Sequence, residues 1–419
     1  MTIETDILVV GSGMAGLSAA LESAEAGYSV VLVEKEPFLG GRVARMHQFF
    51  PKLCPPACGL ELYFKRLKTN PRISYFTQAE VEQLSGQRGD FKVNLTLNPR
   101  YVSLEKCTAC GDCIEVCPGH RTNAFNYGMG ETTAIYLPCL TAMPYKYVID
   151  RAACANKECT ECVSACRYGA IELGSFPKHL RLQVRSVVIA TGWMPYDATR
   201  LVNLGLGRFG NVITNVMMER LAASDGPTGG RILRPSDGKE VTSVAFVQCA
   251  GSRDENHLPY CSAVCCMASL KQVTYVRERN PEAGVHVFFM DVRAPGRYEN
   301  FYRQIAEDGH VRLFRGKVAK IEENPATGEL TVSADDTMYG GKTRTAVDMV
   351  VLAIGTAPAA NKAAIPGVQL VWDQHGFLIP DGTEGVHPAG VARRPMDVSA
   401  SVRDGVAAAL LAIQDVVRS

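Results

Sequence analysis

Residues 5–36 read TDILVVGSGMAGLSAALESAEAGYSVVLVEKE. An apolar run ends in a glycine turn, a segment of helical periodicity follows, and a second apolar run ends in an acid. This is the order strand, turn, helix, strand. The turn carries Gly11-x-Gly13-x-x-Gly16. Gly11 permits the tight turn, Gly13 lets backbone approach a pyrophosphate, and Gly16 lets helix and strand pack closely, with the helix N-terminus facing the phosphate charge. Glu34 closes the second strand, where an acid can take a ribose hydroxyl. With Ala15 in the same turn, these residues predict a dinucleotide site.

The next segment, KEPFLGGRVA (35–44), suggests which dinucleotide. Lys35 followed by Gly40, Gly41 and Arg42 resembles the continuation seen in FAD-binding members of the two-dinucleotide-binding-domain flavoproteins. SVVIATGWMP (186–195) and MVVLAIGTAP (349–358) resemble the strands that these proteins end beside the cofactor. The resemblance adds Ala190, Thr191, Gly192 and Gly355 to the site. Residues 385–410, GVHPAGVARRPMDVSASVRDGVAAAL, resemble the segment that closes over the flavin. They contribute Gly390 and a helix starting near Val398, its N-terminus toward the isoalloxazine. An Asp often follows the Ala-Gly there; here it is Val391, which removes one ribitol contact.

Fifteen cysteines need a separate explanation. No export signal precedes them and most fall in tight groups, so metal ligation is expected rather than disulfides. Cys107-x2-Cys110-x2-Cys113-x3-Cys117-Pro has the bacterial ferredoxin spacing. Cys154-x4-Cys159-x2-Cys162-x3-Cys166 is a second, looser copy without the trailing Pro. In two-cluster ferredoxins the last cysteine of each motif serves the other cluster. One [4Fe-4S] cluster is therefore assigned to Cys107, Cys110, Cys113 and Cys166, and a second to Cys154, Cys159, Cys162 and Cys117. Zinc is the alternative, but structural zinc sites usually use two cysteine pairs.

Residues 241–293 return to strand, helix, strand (VTSVAFVQC, CSAVCCMASLKQVTYVRE, VHVFFMDVR), as a second dinucleotide domain would. A glycine-rich phosphate loop is missing between them. Cys249, Cys261, Cys265 and Cys266 stand there instead, so direct NAD(P)H oxidation is not expected. A third cluster or a buried pair with a redox disulfide would account for the four thiols. Cys54 and Cys58 are separated by three residues; they read either as two partly buried thiols or as a redox pair or further ligands near the flavin loop. Cys139 reads as structural, Trp193 and Trp372 as core. His47, His257, His310 and His387 show no ligand spacing, and no residue is singled out as catalytic.

Net charge is +1 with 21% charged residues, which argues against a nucleic-acid or anionic-membrane partner. No apolar run approaches the ~20 residues of a membrane span, and the composition reads as an ordinary soluble globular protein. The expected fold is α/β: a Rossmann-like FAD domain and a degenerate second nucleotide-binding domain, with an inserted bacterial-ferredoxin-like α+β module. The segments are 1–99 (FAD domain, first part), 100–175 (insert), 176–240 (FAD-domain return and linker), 241–345 (degenerate domain with the cysteine motif) and 346–419 (FAD domain, last part).

Three stretches carry a more specific likeness: CAGSRD with PYCSAVCC (249–266), FNYGMGETTAIYLP (125–138) and RRPMDVSASVRDG (393–405). They resemble the A subunits of heterodisulfide reductases, which implies an unusual [4Fe-4S] cluster at Cys249, Cys261, Cys265 and Cys266. FFPKLCPPACGLE (49–61), with the chain's length, is most similar to the A subunits of quinone-interacting membrane-bound oxidoreductase complexes. That branch implies a cytoplasmic chain held at the inner membrane face by partners. These are a haem b/iron–sulfur membrane subunit together with a second flavin/iron–sulfur subunit of the same family. It further implies electron exchange between the quinone pool and adenylylsulfate reductase in dissimilatory sulfur metabolism, with the flavin joining two-electron and one-electron steps. The alternative is an electron-bifurcating flavoprotein, the A subunit of a soluble heterodisulfide-reductase-like complex.

Overall fold

The computed structural model describes residues 2–50, 52–338, 340–359, 365–380 and 382–419. The chain forms two compact units, one of Met1–Arg45, Phe49–Trp193 and Pro358–Ser419, the other of Met46–Gln48 and Met194–Ala357. Short strands β11 (Trp193–Pro195) and β20 (Thr356–Pro358) lie at the two later boundaries.

The first unit is built on β1 (Thr2–Val10), α1 (Met14–Glu25), β2 (Val30–Val33), α2 (Ala57–Thr69), β3 (Ile73–Phe76), β4 (Ala79–Gln87), β5 (Asp90–Leu97), β10 (Lys178–Ile189), β21 (Val386–Pro388) and α8 (Val398–Arg418). Its sheet runs β3-β2-β1-β10-β5-β4, with β21 added against β10. β3, β2, β1 and β10 are parallel, and β5 and β4 continue antiparallel. Side chains alternate across a strand: Ile7 and Val9 enter one core with α1 and α8, and Leu8 enters the other with Phe91 and Val187. Small residues let helices approach. A Cβ on Gly405 of α8 would lie 2.2 Å from the Ala15 carbonyl oxygen of α1.

The insert leaves after β5 and returns at β10. It holds α3 (Asp112–Glu115), a hairpin β6 (His120–Thr122) and β7 (Glu131–Thr133), a pair β8 (Ile135–Tyr136) and β9 (Val148–Ile149), and α4 (Glu161–Ala165). Its buried core is small: Val102, Ile135, Tyr147, Ile149 and Ala170 with Cys107, Cys113 and Cys162. So small a core usually needs a metal or cross-link to stand. Buried Arg100 ties the insert to the glycine loop after β2. It donates to the carbonyls of Tyr147 (2.7 Å), Lys146 (2.6 Å) and Pro37 (2.8 Å). Burial pulls its pKa down to about 10.

The second unit has β12 (Val212–Thr214), α5 (Asn215–Ala222), β13 (Ser243–Ala250), α6 (Cys265–Arg279), β14 (Gly284–Phe289), α7 (Tyr298–Ala306), β15 (Val311–Arg315), β16 (Val318–Glu323), β17 (Leu330–Asp335), β18 (Lys342–Val347) and β19 (Met349–Ile354). A parallel sheet runs β12-β19-β13-β14-β15, beside a three-stranded antiparallel sheet β16-β17-β18. Residues 46–48 join this unit. Glu219 accepts from His47 N (3.0 Å) and pairs with buried Lys271 (2.9 Å), whose ammonium also reaches the Gln48 carbonyl at 2.5 Å.

Candidate functional site

The glycine turn sits between β1 and α1, beside β10. A Cβ on Gly11 would meet the Ala190 carbonyl oxygen at 2.4 Å, and one on Gly16 the Gly11 carbonyl oxygen at 1.8 Å. Both positions therefore exclude any larger residue. At Gly13 a Cβ would meet nothing within 4 Å. Gly13 is also the N-cap of α1 and supplies no side-chain cap, so first-turn N–H groups face an open place. Those two facts fit a pyrophosphate. Ala190, Thr191 and Gly192 follow β10, and the buried Thr191 hydroxyl has no partner among the described residues, as a ligand contact would leave it. Gly40 and Gly41 are in the left-handed region at φ 108 and 57, and Gly41 packs on the Gly13 backbone.

Glu34 follows β2 and is 7% exposed. One oxygen accepts from Ser12 N (2.9 Å) and Ser12 Oγ (2.6 Å), the other from Glu36 N (2.9 Å). A carboxylate has about four acceptor sites, so one remains for a ribose hydroxyl. Burial raises the Glu34 pKa, opposed by the Glu36 and Ser12 donors. Lys35 is exposed. The Arg42 Nε donates to the Trp193 carbonyl at 2.6 Å, and its guanidinium lies 5.0 Å from the Trp193 ring centre. Trp193 is half-buried rather than core.

Gly390 (φ 64) packs against Ala15 and donates its N–H to Asp404 Oδ2 at 2.8 Å. Asp404 also holds Arg393 at 2.8 Å. Val398 begins α8, where the Asp397 side chain already caps Ala400 N at 2.7 Å. Sequence reasoning misses Ser12 and Asp404, because single polar residues carry no periodic signal. Gly355 falls in the other unit. A Cβ there would meet Leu258 Cδ1 and Ser252 Oγ at 2.5 Å. In the first unit, the site residues brought together are Gly11–Gly16, Glu34, Gly40–Arg42, Ala190–Gly192 and Gly390.

Within the insert the eight cysteines surround two hollows. Cys107, Cys110, Cys113 and Cys166 line one, with Tyr147 and Ala170. Cys117, Cys154, Cys159 and Cys162 line the other, with Gly119 and Ile135. The crossed grouping expected from the spacing is the grouping in space. Electrostatics sort them the same way. Burial pushes the Cys113 thiol up to about 12, with Cys107, Cys110 and Cys166 adding to it; burial pushes Cys162 to about 11, with Cys117, Cys154 and Cys159 adding. A metal centre would have to displace these protons on binding its ligands. Local donors aim at the sulfurs: Ala170 N to Cys166 Sγ (3.3 Å) and Arg151 Nη1 to Cys154 Sγ (3.5 Å). Among the described residues no trio of His, Cys, Asp or Glu closes on a single ion position; the quartets stand around hollows instead.

The third quartet occupies the β13–α6 connection. Cys249 lies near the end of β13, where the register with β19 shifts between Val247 and Ala250 and Cys249 takes φ 56. A bulge re-aims a side chain that regular alternation would send elsewhere. Cys265 and Cys266 open α6, and Cys261 precedes them. Burial raises Cys249 to about 11, with Cys266 and Cys261 contributing, and raises Cys265 further. The Arg253 charge opposes the rise at Cys249, and Arg253 pairs with Asp291. Ser262 Oγ accepts from Thr356 N at 3.0 Å and meets Ser252 Oγ at 2.8 Å, locking the loop to the end of β19. This is the carboxyl end of the parallel strands, where such sheets open their ligand crevice.

Comparison with known proteins agrees with this division. An FAD dependent oxidoreductase model matches residues 6–54, and a 4Fe-4S binding domain model matches residues 100–120. The T. acidophilum thioredoxin reductase superposes with a TM-score of 0.54 at 14% identity, covering 99% of both chains, which establishes the fold. The fold class is thus the Rossmann-like α/β fold of FAD-dependent oxidoreductases with a ferredoxin-like 4Fe-4S domain.

Within that class the chain is similar to the A subunits of heterodisulfide reductases. It is 37% identical over 421 residues to the A subunit of the H(2):CoB-CoM heterodisulfide,ferredoxin reductase of Methanothermobacter marburgensis, covering 98% of this chain and 63% of that one. It is 37% identical over 422 residues to the iron-sulfur A subunit of the CoB--CoM heterodisulfide reductase of Methanocaldococcus jannaschii, covering 97% and 64%. The chain spans just under two thirds of these relatives. No helix among the described residues is long and apolar enough to cross a membrane.

Proposed function

We propose that this chain is an electron-transfer component of a larger redox complex. A four-iron cluster takes the place of a nicotinamide dinucleotide in its second α/β unit. One observation carries the reading: Cys249, Cys261, Cys265 and Cys266 gather at the carboxyl ends of β13 and β19, the ligand end of a parallel sheet. Bound FAD supplies a junction between electron pairs and single electrons, and four-iron clusters supply one-electron steps.

The chain's own residues would do the holding. The Gly11–Gly16 turn and the start of α1 take the pyrophosphate, and Glu34 takes the ribose. Gly40–Arg42, Ala190–Gly192 and Gly390 line the rest. Two quartets hold clusters in the insert, and burial of Cys265 keeps water from the third.

FAD, iron and sulfide are to be measured on anaerobically purified protein. About twelve irons per chain are expected from three four-iron clusters, and a Cys261→Ser/Cys265→Ser variant should fall to about eight irons with FAD retained. About eight irons in the unaltered protein would overturn the third cluster.

The finer reading is exchange between the quinone pool and adenylylsulfate reductase. The partners would be a haem b/iron–sulfur membrane subunit together with a second flavin/iron–sulfur subunit, placing the chain at the inner face of the cytoplasmic membrane. Its support is the likeness of residues 49–61 to that branch. A second reading, favoured by the 37% identity to heterodisulfide reductase A subunits, is the corresponding flavoprotein of a soluble complex that bifurcates electrons at the flavin.

A further inference from the structure

Among the described residues four Arg and Lys side chains are buried: Arg100, Arg220, Arg234 and Lys271. Three of them pair with a carboxylate: Arg220 with Asp225 (2.8 Å), Arg234 with Asp237 (3.2 Å) and Lys271 with Glu219 (2.9 Å). Arg100 does not. Its Nε, Nη1 and Nη2 donate to the carbonyls of Tyr147, Pro37 and Lys146, and no carboxylate among the described residues pairs with it. A guanidinium keeps its charge in proteins, and a buried charge without a counter-charge is costly. The carbonyls place this charge at the first quartet. Tyr147 lines the hollow of Cys107, Cys110, Cys113 and Cys166, as does Val102, two residues on from Arg100. Lys146 turns its own ammonium to the Cys107 carbonyl, and it too pairs with no carboxylate among the described residues.

We propose that Arg100, assisted by Lys146, is the counter-charge of the first four-iron cluster and raises its reduction potential. The inference rests on the four-iron reading of the Cys107 quartet. A four-iron cluster on four thiolates is anionic, and one-electron reduction adds a further negative charge. A fixed cation beside it stabilises the reduced form more than the oxidised one, because the attraction grows with the charge it faces. The cluster in turn supplies the anion that the fold withholds from Arg100. The guanidinium acts through space, since its donors are spent on the carbonyls that fix it. One of those carbonyls is Pro37 of the flavin loop, so the charge cannot turn away without releasing that loop from the insert. Arg100 is therefore a positioning residue whose charge is set in place before the cluster is reduced.

The test uses the intact holoprotein, poised anaerobically with dithionite and redox mediators and read by EPR. The altered signal of Cys110→Ser marks the couple that belongs to the first quartet. In Arg100→Met the reduced-to-oxidised ratio of that cluster at a fixed poise should fall about tenfold or more, tenfold being about 59 mV for one electron. Iron content should be unchanged and the other couples should move less. Arg100→Lys keeps the charge and should retain most of the wild-type ratio. Lys146→Met should lower the ratio in the same direction but less, because its half-buried ammonium is partly screened by solvent. An unmoved ratio in Arg100→Met at full iron content overturns the proposal. So does an equal fall in Arg100→Lys, which would make the fork purely structural. Where Arg100→Met loses the insert, Lys146→Met decides, and an unmoved ratio there overturns the proposal. A wild-type insert without an EPR-active four-iron cluster would sink the four-iron reading and this proposal with it, a result distinct from a loaded cluster whose potential ignores Arg100.

Discussion

At the residue scale, Glu34 joins cofactor recognition to the glycine turn, since one carboxylate holds both Ser12 donors and Glu36 N. Hydrogen bonds to a charged group contribute about 1.5–3 kcal/mol. Glu34→Gln should therefore weaken FAD retention by roughly 10- to 100-fold while leaving iron content unchanged, read by flavin release on dialysis. The raised pKa gives a sign to the pH effect. Protonation sets in above the usual glutamate range, so wild-type retention should decline on acidification sooner than an exposed carboxylate would titrate. The acid at the end of β2 was legible because strand, turn and helix around it fix its position in the pattern. Ser12, Arg100 and Asp404 were not, because each matters through a partner far along the chain.

At the scale of elements, the second unit keeps the β13–α6–β14 arrangement and changes only the connection. The strand pairing that holds this frame begins at Asp348. Its side chain accepts from Thr242 N and Oγ1 (2.8 and 2.7 Å) and Ser243 N and Oγ (3.0 and 3.2 Å), joining the starts of β13 and β19. Burial alone would raise this carboxyl, but the four donors outweigh it and hold the pKa below the usual carboxylate range. A depressed folded pKa means stability that is present above the ordinary carboxylate range and lost as pH falls through the folded value. Asp348→Asn should then reduce hydrogen-exchange protection of β13 and β19 by about 1.5–3 kcal/mol near neutral pH. The difference from wild type should close in acid; a pH-independent difference would reject the ionic origin. The strands themselves were legible as continuous apolar runs. The bulge at Cys249 was not, because it is a mismatch of register with β19, a strand far later in the chain.

At the scale of the molecule, the choice between the two complexes is a choice of partners. Affinity purification of the native assembly should recover a haem b subunit together with a second flavin/iron–sulfur subunit, with haem visible in the absorption spectrum. A haem-free assembly with cysteine-rich partners would replace the quinone-linked reading with the heterodisulfide-reductase-like one. The division into two units was only partly legible. Residues 194–240 and 346–357, including Gly355, lie in the second unit, and the Met46–Gln48 tripeptide does too. Short segments without a period of their own take their place from what they pack against, as His47 and Gln48 do from Glu219 and Lys271.

What the sequence by itself determined was local and stoichiometric. Glycine spacing set the dinucleotide turn, because steric exclusion at Gly11 and Gly16 admits no other residue. Cysteine spacing set the crossed quartets, because short loops can present three thiols together and leave the fourth to the other motif. What only the tertiary structure decided was convergence. Cys249 turns toward Cys261, Cys265 and Cys266 at a bulge, and Arg100 joins insert to flavin loop through three carbonyls. Each depends on contacts between segments whose separation along the chain says nothing of their distance in space.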